Sequence, residues 1–152
     1  GEVVTASYFE RELDTQNAKI IDCGILYHRM GDLGYLDDLG YLWFCGRKAH
    51  RVLDLYSIPC EAIFNNHPEV ARSALIEYFD KPALVIEGLD QKIPKGLKRK
   101  TFEEELKNLG KKYSHTKEIT TFFYKKTFPV DVRHNIKIDR LLLADEARKG
   151  IL

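Results

Sequence analysis

Cysteine is scarce in this chain. Cys23, Cys45 and Cys60 are the only three in 152 residues, an odd number with no CxxC spacing, which argues against a disulfide framework. They read as free, mostly buried thiols, which predicts a reducing, cytoplasmic setting. The five histidines, His28, His50, His67, His115 and His134, are scattered, with no HxxxH pair and no Cys/His cluster. A zinc site is therefore not expected. No apolar run approaches the roughly 18 residues of a spanning helix, and the first residues lack a signal-peptide pattern. Charge of one sign is missing too. With 24 basic and 23 acidic side chains the formal net charge is +1, so no overall field draws the chain to nucleic acid or a membrane. No G-x-x-x-x-G-K-S/T run appears either, which excludes a P-loop within these residues.

What is present suits a soluble globular chain. It is 44% hydrophobic and 31% charged, and at this length it could bury about 70% of its unfolded surface. Its most informative stretch is residues 29–47, Arg-Met-Gly-Asp-Leu-Gly-Tyr-Leu-Asp-Asp-Leu-Gly-Tyr-Leu-Trp-Phe-Cys-Gly-Arg. Leu33, Tyr35, Tyr41 and Trp43 are strand formers with partial alternation, and Asp37-Asp38-Leu39-Gly40 supplies a turn, so the stretch predicts a β-hairpin. Gly40 suits a positive φ, while Gly31, Gly34 and Gly46 allow close backbone approach. The hairpin places Asp32 near its start and Arg47 near its end. A carboxylate can accept two hydrogen bonds from a vicinal diol and a guanidinium can fork onto oxygens, a combination suited to a ribose. The competing reading is a surface hairpin whose acid and base pair with each other.

Further along, residues 19–26 are apolar enough for a strand. Ser57-Ile-Pro-Cys-Glu-Ala-Ile-Phe predicts a helix with Ser57 or Ile58 at the cap, Glu61 near the positive end, and Ile58, Ala62, Ile63 and Phe64 as its core stripe. His67, before Pro68, reads as structural rather than catalytic. Strands are expected at 73–78, 82–87 and 118–124. Lys92, Lys95, Lys98, Arg99 and Lys100 form a basic run with no acid. It reads as a solvated loop leading into a helix, with a docking patch for phosphates, a carrier protein or RNA as the alternative. Thr101-Phe-Glu-Glu104 has the form of a capping box, and Phe102, Leu106 and Leu109 face inward from the helix it would open. Asp139 caps a last helix with Leu142, Leu143 and Ala147 inward and Gly150 at its end. The fold class is α+β: a β-rich leading segment with a hairpin, then a small mixed sheet with about three helices.

The string Tyr27-His-Arg-Met-Gly-Asp32, followed by Gly34-Tyr35-Leu36 and Gly46-Arg47, resembles the adenylate-forming (acyl-CoA synthetase, AMP-binding) superfamily, in its C-terminal portion. The resemblance implies that Asp32 holds the ribose hydroxyls, that Arg47 contacts the same sugar and that Phe44 belongs to the same nucleotide-contacting set. It implies an interdomain hinge at Ala49, with Lys48 beside it. Residues 1–46 would then be the tail of a large adenylation domain and 47–152 a small C-terminal lid. Gly1-Glu2-Val3-Val4-Thr5 opens in a strand-like segment, as if cut from something longer whose N-terminal adenylation domain is missing. In Phe128-Pro-Val-Asp-Val-Arg-His-Asn-Ile-Lys-Ile138, Lys137 matches the lysine that meets the α-phosphate and the substrate carboxylate. A positive charge there would stabilise the negative charge that develops on phosphate oxygens.

Arg133-His-Asn-Ile-Lys-Ile138, with Gly46-Arg-Lys-Ala-His-Arg-Val52 and Ser57-Ile-Pro-Cys-Glu61, is more narrowly similar to the β-lactone synthetases of olefin biosynthesis. The implied reaction uses ATP and Mg²⁺, bound mainly by the missing domain, to convert a carboxylic acid to its acyl-adenylate. A long-chain β-hydroxy acid would then close to a β-lactone. CoA use is doubtful, because residues 53–56 are shorter than the glycine-containing loop of the CoA ligases. An acyl-CoA or peptide-synthetase-type ligase remains open, as does a non-catalytic carrier-protein or RNA-binding module. These residues alone are expected to be catalytically silent.

Overall fold

The computed structural model describes residues 3–131 and 137–152. The expectations placed on Gly1-Glu2 and on Arg133, His134, Asn135 and Ile136 lie outside the described residues. The chain opens with a short helix, α1 (Glu12–Ala18), and two hairpins: β1 (Lys19–Asp22) with β2 (Ile25–His28), then β3 (Asp32–Leu36) with β4 (Leu42–Arg47). A 3-10 turn at Lys48–His50 leads to α2 (Ser57–Phe64). The remaining elements are β5 (Val70–Tyr78), β6 (Lys81–Gly88), α3 (Gly96–Lys111), β7 (Thr121–Lys125) and α4 (Arg140–Arg148). The α+β class, the hairpin and the three helices after it agree with the sequence. Helix α1 was not expected, because its polar sequence has no apolar stripe and buries no residue.

The core is built on β5, β6 and β7. β5 and β6 are antiparallel and joined through Phe79 and Asp80, both at positive φ as a tight two-residue hairpin connection requires. β7 returns parallel to β6, and α3 is the crossover between them. Side chains alternate across the sheet with the strand period of two. On one face Leu75, Leu84, Ile86, Phe122 and Tyr124 pack with Phe64 of α2 and with Phe102 and Leu106 of α3. On the other, Ala74, Ile76, Ala83 and Val85 pack with Leu143, Ala144 and Ala147 of α4. The result is three layers, helix, sheet, helix, with β6 in the middle. Among the described residues, every buried hydrophobic side chain except Cys45 lies at or beyond Val52.

Three helices differ in detail from expectation, and in α4 Leu142, expected to face inward, is exposed while Leu143, Ala144 and Ala147 are buried. In α2 the buried side chains are Ser57, Cys60, Glu61 and Phe64, whereas Ile58 and Ala62 are exposed. Apolar residues occur on both sides of this short helix, and its neighbours select the stripe. Ser57 is not the cap. That position is Tyr56, and Ser57 lies against Gly46, where an added Cβ would come within 2.5 Å of the serine Oγ. Helix α3 begins at Gly96, five residues before the expected capping box, and the Thr101 hydroxyl donates to the Leu97 carbonyl inside the helix. Lys98, Arg99 and Lys100 are therefore helical rather than in a loop. Arg99 pairs with Glu103 at 3.0 Å and lies over the Tyr124 ring, and Lys92 pairs with Asp90.

Candidate functional site

The β3–β4 hairpin is set by its turn. Asp37 accepts from the Leu39 and Tyr41 amides through Oδ1, and from the Trp43 indole N–H at 2.8 Å through Oδ2. The Trp43 bond first, and then these amides, hold its carboxyl below the usual aspartate range. Gly40 adopts φ +83°, the left-handed conformation for which a glycine turn residue is suited. A bulge between Leu33 and Gly34 resets the register, so that Asp32 stands directly opposite Arg47. The two form an ion pair at 3.0 Å, and the same Arg47 nitrogen donates to the Met30 carbonyl at 2.6 Å. Both side chains stay substantially exposed, at 42% for Arg47 and 38% for Asp32, so their oxygens and nitrogens remain open to a solute.

Beyond Arg47 the chain enters the Lys48–His50 turn, which is anchored by a 2.8 Å bond from the Lys48 amide to the Gly31 carbonyl. This turn faces a cleft of about 730 Å³ lined by Met30, Gly31, Arg47, Lys48, Ala49, His50 and Lys137. The structure thus brings together four residues singled out from sequence: Arg47, Lys48, Ala49 and Lys137. Asp32 is tied to the cleft through Arg47. Phe44 sits opposite Gly34, half exposed, and is not among the lining residues. Arg47, Lys48 and Lys137 give the lining a positive character suited to an anionic solute. Partial burial, and then the charges of Arg140 and Arg47, hold the His50 imidazole below the usual histidine range.

Lys137 is exposed, but its backbone is fastened. Its carbonyl accepts from the Asp131 amide at 2.9 Å, the Asp139 amide donates to the Pro129 carbonyl at 2.9 Å, and Val130 bridges to Ile138. Asp139 caps α4 by accepting from the Leu142 amide at 3.0 Å, as expected from sequence. The next residue, Arg140, was not anticipated. It donates to both carboxylate oxygens of Glu61, which was expected only to favour the positive end of α2. Burial raises the Glu61 pKa, against the pull of Arg140 and the Leu75 amide. Helical spacing could have flagged Glu61 as a carboxylate in need of a partner, since it lies three residues before Phe64 on one face, but not that the partner is Arg140.

His67 has local work. Its Nδ1 accepts from the Glu69 amide, its Nε2 lies 3.2 Å from Glu105, and its ring meets Phe102 edge-on.

No family model matches the chain. It is 41% identical over 160 residues to the olefin β-lactone synthetase of Xanthomonas campestris pv. campestris, covering 95% of this chain and 28% of that protein. The chain is similar to the adenylate-forming synthetases. The olefin β-lactone synthetase of Stenotrophomonas maltophilia is 36% identical over 157 residues, with the same two coverages. Among solved structures, the O-succinylbenzoate coenzyme A synthetase of Bacillus subtilis, in complex with AMP, superposes with a TM-score of 0.70 at 25% identity. That match covers 94% of this chain and 28% of the other. This chain therefore spans just over a quarter of the length of the relatives it matches.

Proposed function

We propose that this chain is the C-terminal part of an AMP-forming synthetase that activates a carboxylic acid with ATP. The supporting observation is the single cleft that Lys137 shares with Arg47 and Ala49, beside the Asp32–Arg47 pair. In this reading Asp32 and Arg47 exchange part of their mutual pairing for the ribose hydroxyls. Lys137 meets the α-phosphate, where a carboxylate oxygen forms a bond to phosphorus and the bond to pyrophosphate breaks. Its ammonium stabilises charge on the non-bridging oxygens. Residues 1–46 complete a larger adenylation domain, and 47–152 form a lid that turns about Ala49 for the second step. Among the described residues no cluster of His, Cys, Asp or Glu is arranged to hold a metal, and the cleft lining is cationic. These residues do not fit Mg²⁺.

For the second step we favour closure of a β-hydroxy acid. The β-hydroxyl oxygen attacks the acyl carbon, AMP departs with the phosphate oxygen, and the hydroxyl proton leaves to solvent or a base. Two observations support this over thioester formation with CoA: the β-lactone synthetase relatives, and the tight Val52–Leu55 turn with Leu53 at φ +51° where a longer glycine-containing loop would be expected. A cytoplasmic setting fits the free thiols of Cys23, Cys45 and Cys60.

The deciding experiment incubates the full-length protein with ATP, Mg²⁺ and a long-chain β-hydroxy acid, with and without CoA. A CoA-independent product lighter than the acid by one water is expected. Lys137→Ala should lower adenylation by about 10²–10³-fold. A thioester formed only with CoA would move the protein to the ligase branch. Absence of adenylate with any acid, together with loss of biological role in a Lys95→Glu, Lys98→Glu, Lys100→Glu variant, would favour a binding module.

A further inference from the structure

Glu61 joins three elements at one carboxylate. Arg140 Nη2 donates at 2.8 Å to each of its oxygens and Nε donates at 3.3 Å to Oε1, which also accepts from the Leu75 amide at 2.8 Å. Both side chains are largely withdrawn from water, at 14% exposure for Arg140 and 10% for Glu61. A buried pair of this kind adds little net stability, because lost hydration offsets the attraction, and apolar side chains can often replace it. A guanidinium–carboxylate fork does supply fixed relative geometry.

The two ends of this contact have different neighbours. Arg140 lies three residues after Lys137, and the Asp131–Lys137 and Pro129–Asp139 backbone bonds leave little slack between them. Helix α2 starts at Ser57 against Gly46, the residue before Arg47. A series of contacts therefore runs from Gly46, beside Arg47, through Ser57 and Glu61 of α2 and Arg140 to the segment bearing Lys137.

We propose that Glu61 and Arg140 are positioning residues that set Lys137 against the Arg47–Ala49 turn and act on adenylate formation through it. This proposal rests on the functional reading above. An ammonium at position 140 would still neutralise Glu61 but has no second coplanar nitrogen, so it could not reproduce the contact that Nε and Nη2 make together. Arg140→Lys therefore separates geometry from charge.

The test places Arg140→Lys and Glu61→Gln in the full-length protein, each alone and with Lys137→Ala. Pyrophosphate release should fall about tenfold in kcat with KM for ATP changed less than about twofold, and neither variant should slow the enzyme further once Lys137 is alanine. A second readout is independent of catalysis. Amide exchange at Asp131 and Asp139 should accelerate about tenfold in Arg140→Lys, while Val85 and Phe123 in the sheet keep their protection. Unchanged exchange at Asp131 and Asp139, or equal losses with and without Lys137, overturns the proposal. If Lys137→Ala leaves adenylation intact, the functional reading fails, and the exchange result alone decides the positioning role.

Discussion

Glu61 and Arg140 are coupled such that removing one partner costs more than the pair contributes. In Arg140→Met the carboxylate stays buried among α2, β5 and α4 with its cation gone. Loss of about 3–5 kcal/mol at pH 7 is expected. Burial already raises the Glu61 pKa, and the missing guanidinium raises it further. As pH falls through that raised value the folded form takes up a proton before the unfolded one, so the deficit should shrink as pH falls from neutral towards the ordinary carboxylate range. Urea denaturation of wild type and variant across that range measures this, and a pH-independent deficit would contradict it. His50 titrates with the opposite consequence. Its folded pKa lies below the unfolded value of about 6.5, so the unfolded state binds the proton first and stability rises with pH through that window. His50→Gln should flatten the slope of urea midpoint against pH just below 6.5, and an unchanged slope would exclude His50 as its source.

Among the secondary-structure elements, close approach and local preference pull against each other at Gly110, inside α3. Alanine would gain about 1 kcal/mol of helix propensity. A Cβ there would meet the Phe64 ring at 3.0 Å and the Thr116 carbonyl at 3.2 Å, and both residues are fully buried with little room to shift. Overpacking at about 1–3 kcal/mol outweighs that gain, so Gly110→Ala should destabilise by up to about 2 kcal/mol in thermal melts. The same contrast explains what could be read from sequence. The β3–β4 hairpin was legible because Asp37 and Gly40 make their turn from local chemistry. β5, β6 and β7 were legible from β-branched and aromatic runs. The buried stripe of α2 was not, because neighbours distant in sequence choose it. The start of α3 was missed because Thr101-Phe-Glu-Glu104 imitates a helix start while the actual one, at Gly96, carries no side-chain cap. At the candidate site, Asp32, Arg47 and Lys137 were singled out through a resemblance in sequence, and the structure pairs the first two and sets Arg47 and Lys137 on one cleft. Arg140 was not singled out, since nothing near it in sequence points to a partner 79 residues away.

The whole molecule has an uneven distribution of apolar surface. Tyr35, Leu36, Leu39, Tyr41, Leu42 and Trp43 are exposed on or beside one hairpin, whereas the three-layer unit beyond Val52 is well filled. No helix of the described residues is long and apolar enough to cross a membrane. An exposed patch of this kind is what the proposed larger adenylation domain would cover. Helix α4 also has a global role, since it supplies Leu143, Ala144 and Ala147 to one face of the sheet. A chain ending at Asp139 should lose its near-ultraviolet dichroism and bind an apolar dye while keeping much of its far-ultraviolet signal. A native-like near-ultraviolet spectrum from that truncation would show that the other two layers suffice.

The placement of β6 between layers has a consequence for synthesis on the ribosome. Its parallel partner β7 emerges only after the whole of α3, and the α4 residues that shield Ala83 and Val85 emerge later still. The central strand therefore waits, half-paired and bare on one side, until α4 has been made. Pauses in translation before α4 would lengthen the interval in which the nascent chain can associate wrongly or be captured by a chaperone.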